Sequence, residues 1–246
     1  MDKRLKLFTI LSSTFLTALL LAEVTGGKLI QIPLTASFAF TATMGVIPFP
    51  ITFIVTDIIN EYYGRKGMRH VTLVGMVMVG FAMVLLQIDM RVPAASFSPV
   101  TDDAFNSVFG VSARITVGSL IAYLIGQLVD ISVFHFIRLR TGGRMLWLRA
   151  TGSTIVSQLI DSFVVLFIAF GGLLSFSQIL EVGATNYIYK FAIAVVITPM
   201  LYAVHAVADR YLGRALAEEM MEQAHSKAGD PRLVLTERAP DGESPG

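Results

Sequence analysis

Three short stretches place carboxylates and amides inside otherwise apolar sequence. "FPITFIVTDIINEYYGRKG" (49–67) carries Asp57 and Glu61, four residues apart and therefore on one face of a helix. "GQLVDISVF" (126–134) carries Gln127 and Asp130, and "SQLIDSFVV" (157–165) carries Gln158 and Asp161. Each of these pairs is three apart, again on one face. A carboxylate accepts two parallel N–H bonds, and a carboxamide offers a donor and an acceptor. Such a set complements a planar heterocycle with an N–H/NH2 edge and a carbonyl, such as a guanine-like base. The structural alternative is hydrogen bonding between helices that only joins a bundle. A charge at the centre of a bilayer costs ~2.5–3.5 kcal/mol on the mildest scale, so charged residues in a membrane helix face the bundle interior and mark a site.

Depth separates Asp57 from Glu61. Asp57 lies about two turns from the basic run Arg65, Lys66, Arg69 and is the better candidate for contact with a substrate or a proton. Glu61 lies next to that run, where pairing at the interface competes with a gating role. Phe53 and Tyr62 are aromatic neighbours that can stack on a base. Lys28 and Lys190 fall near the outer ends of apolar stretches, where they either snorkel or pair with a site carboxylate. Glu23 is the nearby partner expected for Lys28. His70, His135 and His205 are isolated in sequence, without metal-ligand spacing, and read as packing histidines. The chain has no cysteine, which removes thiolate chemistry. It also has no phosphate-binding loop, no H-E-x-x-H and no G-x-S-x-G. No catalytic activity and no cofactor are expected.

The elements that hold these residues are membrane helices. The 246 residues are 54% hydrophobic and 15% charged, with a net charge of +1 that suggests no nucleic-acid partner. Mean hydropathy is +0.68, and soluble domains carry about 25% charged residues. The pattern predicts six spans at about 5–25, 29–63, 70–90, 112–138, 151–175 and 184–209. "RVPAASFSPVTDDAFNSVFG" (91–110) reads as a loop. Lys and Arg cluster at the N-terminus, at 64–70, at 138–149 and after 209, all on one side if there are six crossings; both termini are then cytoplasmic. The second span is too long: 29–63 as a straight helix measures about 52 Å. Pro48 and Pro50 are expected to break it into one irregular crossing. Residues 1–210 form the transmembrane domain. The polar tail 211–246 is expected to be largely disordered, with a surface helix allowed over 211–225.

Several motifs together resemble the queuosine precursor transporter family, also called the YhhQ or VUT family. "FPITFIVTDIINEYYGRKG" resembles its signature, "AEVTGGKLI" its first-helix end, "AYLIGQLVDISVFHFIR" its fourth helix, "LWLRATGSTIVSQLIDSFVVLFIAFGG" its connector and fifth helix, and "YKFAIAVVITPMLY" its last. The likeness covers roughly residues 10–205. It departs at Glu23 and Val24, where the family often has Asn, and after Arg149. The resemblance implies an inner-membrane importer of 7-cyano- and 7-aminomethyl-7-deazaguanine. It also implies an all-α fold similar to the substrate-binding components of energy-coupling-factor transporters. Substrate contacts would come from Asp57, Gln127, Asp130, Gln158, Asp161, Phe53, Lys28 and Lys190, with Glu61, Tyr62 and Arg149 in gating or coupling. A secondary transporter is one reading. A capture subunit needing a separate ATPase is another, with Ala18 and Ala22 as its docking stripe. A proton or cation channel is a third, but nothing resembles a selectivity filter. A homodimer is compatible with all of these.

Overall fold

The first helix, α1 (Lys3–Thr25), is apolar but dotted with threonines. Thr9, Thr14, Thr17 and Thr25 each donate their hydroxyl to the carbonyl four residues earlier, so these four hydroxyls are satisfied without water. The computed structural model describes residues 2–35, 38–141 and 146–229. Its side chains are described except at 32, 34–35, 38, 126–128, 130–155, 157–158, 194–195, 198 and 225–229.

The segment after α1 is not part of a span. Residues 29–43 form an antiparallel hairpin, β1 (Leu29–Thr35) and β2 (Phe38–Thr43), with Leu29 opposite Thr43 and Ile32 opposite Phe40. This corrects the expectation of a crossing that begins at residue 29; among the described residues the fold is helical with one two-stranded sheet. The reason is local: Ile30, Ile32, Thr35, Thr41 and Thr43 are β-branched and suit an extended backbone. Pro33 is incompatible with a helix interior, and the register slips beside it. The hairpin is tied to the helices by Thr41, whose Oγ1 donates to Glu181 Oε1 at 2.9 Å.

A single 3₁₀ turn (Met44–Val46) leads into α2 (Phe49–Asp89). Pro48 caps this helix and Pro50 lies in its first turn, where a missing N–H costs nothing. The two prolines therefore start a helix instead of breaking one. The break is at Gly64, with φ 66° and ψ −172°. The helix reverses there. Thr52 and Met76 line one cavity, while Asn60 and Met68 line another, so the arms 49–63 and 65–89 run side by side.

Two further boundaries differ from the sequence reading. The loop expected over 91–110 ends at residue 101, where α3 (Asp102–Thr141) begins. Asp102 and Asp103 in its first turn suit the positive end of a helix. α4 (Leu146–Phe170) packs along α3. A Cβ on Gly118 would lie 3.1 Å from the Val165 carbonyl oxygen, so this glycine permits the close approach. Arg114 donates to the Gly171 carbonyl at 2.5 Å and to that of Ile168 at 3.2 Å, closing the end of α4.

The last expected span, 184–209, starts earlier and is interrupted. α5 (Phe176–Val196) is opened by a reciprocal cap: the Gln178 amide donates to Ser175 Oγ, and the Ser175 amide donates to Gln178 Oε1 at 2.9 Å. Pro199, in the first turn of α6 (Thr198–Leu212), accounts for the interruption. α7 (Arg214–Gly229) is the surface helix allowed near 211–225. It packs on α2 and buries Ala217 and Met220. Residues 230–246 lie outside the described residues.

Among the described residues, three helices are long and apolar enough to cross a membrane: Lys3–Thr25, Met44–Asp89 and Asp102–Ile125. Large apolar side chains face outward, with Val77 69%, Phe191 67% and Phe81 54% exposed. An apolar exterior of this kind suits lipid. The protein is a membrane protein.

Candidate functional site

All the helices from α1 to α5 contribute to a cavity of about 360 Å³, within the range of small-molecule sites. α1 reaches it through Ala22 and Glu23, and the two arms of α2 through Phe49, Thr52, Thr72 and Met76. α3 supplies Ser119 and Tyr123, α4 supplies Asp161 and Ser162, and α5 supplies Asn186 and Lys190. The β-hairpin is fastened at its rim. The Thr43 amide donates to Asn186 Oδ1 at 3.2 Å, and Asn186 Nδ2 donates to Thr43 Oγ1 at 3.3 Å.

Charge is concentrated on one wall. Lys190 Nζ lies 3.3 Å from Asp161 Oδ2 and donates to Ser162 Oγ at 3.4 Å. It also stands 5.7 Å from the centre of the Phe49 ring, within cation–π range. These polar contacts are long for charge-assisted bonds, and both side chains keep a quarter to a third of their surface open. The pair can therefore give up part of its mutual bonding to a ligand. Glu23 accepts a hydrogen bond from Ser119 Oγ at 3.1 Å. It faces the cavity and not Lys28, which is exposed and lines neither of the two cavities. Carboxylates, an ammonium and hydroxyls are thus flanked by the Phe49 and Tyr123 side chains. This arrangement can hold a planar polar heterocycle by edge bonds and ring contact.

A second, more open cavity of about 570 Å³ is lined by Phe53, Asp57, Asn60, Arg65 and Arg69, among others. Asp57 Oδ2 lies 3.2 Å from His205 Nε2, so His205 is not isolated in space. Thr72 and Tyr123 line both cavities. They form the partition between an acidic chamber and a chamber with two arginines.

Of the residues expected from sequence, Asp161 and Lys190 meet in the first cavity, and Phe53 and Asp57 line the second. Glu61 lines neither. The side chains of Gln127, Asp130, Gln158 and Arg149 lie outside the described residues. Tyr62 is 2% exposed, and its hydroxyl donates to Asp209 Oδ1 at 2.6 Å, which places it in packing between α2 and α6. Tyr62→Phe is expected to cost about 1–2 kcal/mol, because Asp209 loses its donor. A fall in detergent melting temperature with unchanged uptake per folded molecule is the expected reading; lost uptake at full stability would assign Tyr62 to gating instead.

Sequence reasoning did not select Glu23, Ser119, Tyr123, Asn186 or His205 as site residues. Glu23 carries a signal, a charge within an apolar helix, but its partner is Ser119 and not the expected Lys28. Among the described residues, no cluster of His, Asp and Glu could hold a metal ion.

Comparison with known proteins adds a second line of observation. A family described as "putative vitamin uptake transporter" matches residues 43–204. The chain is 34% identical over 171 residues to a Bacillus subtilis (strain 168) protein named "Probable queuosine precursor transporter", covering 68% of this chain and 72% of that one. It is 28% identical over 188 residues to the "Queuosine precursor transporter" of Escherichia coli (strain K12), covering 75% and 81%. A Haemophilus influenzae protein, also named "Probable queuosine precursor transporter", is 27% identical over 181 residues, covering 72% and 74%. No solved structure matches the chain.

Proposed function

The chain belongs to the vitamin uptake transporter family, and from that premise we propose that it imports queuosine precursors, 7-cyano- and 7-aminomethyl-7-deazaguanine, across the inner membrane as a secondary transporter. The observation that carries this reading is the cavity lined by Glu23, Asp161 and Lys190 from three different helices. Its donors and acceptors suit the N–H/NH2 edge and the carbonyl of a deazaguanine, and Phe49 and Tyr123 offer ring contact. The second cavity, across Thr72 and Tyr123, gives the substrate its route onward.

Six crossings fit this route: α1, the two arms of α2, α3, α4, and α5 with α6. The reversal at Gly64 puts Arg65, Lys66 and Arg69 beside the turn, in keeping with cytoplasmic termini and a cytoplasmic second cavity. The likeness to energy-coupling-factor substrate-binding components remains part of the proposal. The capture-subunit alternative loses support at α1. Ala18 is 5% exposed and Ala22 lines the cavity, so the supposed docking stripe faces inward.

The test is a bacterium that lacks both queuosine-precursor synthesis and its own importer. Production of this protein, with either 7-deazaguanine supplied outside, is expected to restore queuosine in tRNA. Unmodified tRNA despite verified membrane insertion would overturn the reading. Uptake by purified protein in vesicles without an ATPase would separate secondary transport from capture.

A further inference from the structure

The described lining of the first cavity does not balance its own charge. Among the described residues, its ionisable lining groups are Glu23, Tyr123, Asp161 and Lys190. Lys190 lies against Asp161 at 3.3 Å, and a tyrosine is uncharged near neutrality. Glu23 has neutral neighbours, the Ser119 hydroxyl that donates to it and the Thr116 hydroxyl close by. The cation nearest to it in sequence, Lys28, is exposed and lines neither cavity. With both carboxylates ionised and the lysine protonated, the described lining carries one negative charge in excess. A carboxylate taken out of water requires a compensating charge or a full set of donors. Each hydroxyl supplies a single donor and no charge.

We propose that the cavity selects a cationic ligand, a planar base bearing a protonated primary amine, over a neutral base of similar size, and that Glu23 is the residue that reads this charge. The inference rests on the transporter reading and narrows it. An alkylammonium group is fully charged at neutral pH and offers three donors, which suits the Glu23 carboxylate. A nitrile in the same place offers no donor and leaves the excess charge uncompensated. Asp161 and Lys190 together are neutral and remain available to the polar edge of the base.

The experiment is equilibrium binding of 7-aminomethyl- and 7-cyano-7-deazaguanine to the purified full chain in detergent at pH 7. The aminomethyl compound is expected to bind about tenfold more tightly, as one partly desolvated charge contact warrants. Glu23→Gln should remove most of that preference by weakening the aminomethyl compound alone, and Glu23→Asp should retain part of it. Equal or tighter binding of the nitrile by the wild-type chain would overturn the inference while leaving the transporter reading intact. An undiminished preference in Glu23→Gln would also overturn it. Binding of neither compound would remove the transporter reading as well. Should Glu23→Gln fail to fold, the wild-type preference alone decides.

Discussion

Asp161→Asn is expected to lower uptake of queuosine precursors at least about tenfold, the cost of one lost charge-assisted contact of ~1.5–3 kcal/mol. Asparagine keeps the size of the side chain but removes the charge that holds Lys190, 3.3 Å away. The ammonium then lacks its carboxylate in a cavity that also contains Glu23. Both outcomes open to it are harmful: it stays poorly compensated, or it turns toward Glu23 and fills the space a substrate would use. Stability should fall less than transport. The pair keeps part of its surface open, so water can solvate what remains, and ~1 kcal/mol is the expected loss. A double variant, Asp161→Asn with Lys190→Met, separates the two effects. It should recover the melting temperature by removing the stranded cation, yet still fail to transport. Normal uptake in the single variant, measured per molecule inserted in the membrane, would remove Asp161 from the site.

The pairing of Asp161 with Lys190 illustrates what could be read from the chain. Each stood out alone, as a charge inside an apolar stretch, and that signal is energetic and local. Their meeting depends on how α4 and α5 pack, which no spacing of 29 residues encodes. His205 and Asp57 are a stronger case, brought together from α6 and α2. Helical periodicity reports neighbours on one helix only. Glu23 and Lys28 show the opposite error. They are close in sequence, but α1 ends at Thr25, so the periodicity that would join them stops between them. The hairpin was hidden because 29–43 has the hydropathy of a span. Its β-branched residues and Pro33 were the available counter-signal, and length outweighed them. Pro48 and Pro50 mark a boundary in the sequence, but the same residue that breaks a helix interior also begins a helix well. The sense of the mark depended on the strand before it.

Substitution of Gly64 should have the largest effect on stability. Its φ of 66° and ψ of −172° lie in a region open essentially to glycine alone, and a side chain there costs ~1–3 kcal/mol in backbone strain. A Cβ would also stand 3.2–3.3 Å from the carbonyl oxygen, Cα and Cβ of Ala224 in α7. Gly64→Ala therefore meets strain and crowding together. The expected result is a clearly lower melting temperature in detergent, with normal binding in the fraction that folds. Gly64→Asn distinguishes this backbone from an ordinary left-handed turn. Asparagine is favoured near φ 57°, ψ 47°, but ψ here is far from that well, so asparagine should be no better than alanine. Gly64→Val should do more damage, because a β-branched residue at positive φ is a genuine outlier. The functional consequence follows from what the turn holds in place. Without it, 49–89 would straighten into a helix of about 62 Å, twice the hydrocarbon thickness of a bilayer. Thr52 would part from Met76 and Asn60 from Met68, and both cavities would lose a wall. Removing α7 by ending the chain at Leu212 separates the two costs. In that background Gly64→Ala should retain the strain share of its penalty and lose the share due to Ala224. A Gly64→Ala protein as stable as wild type would mean that the arms are not joined by this turn.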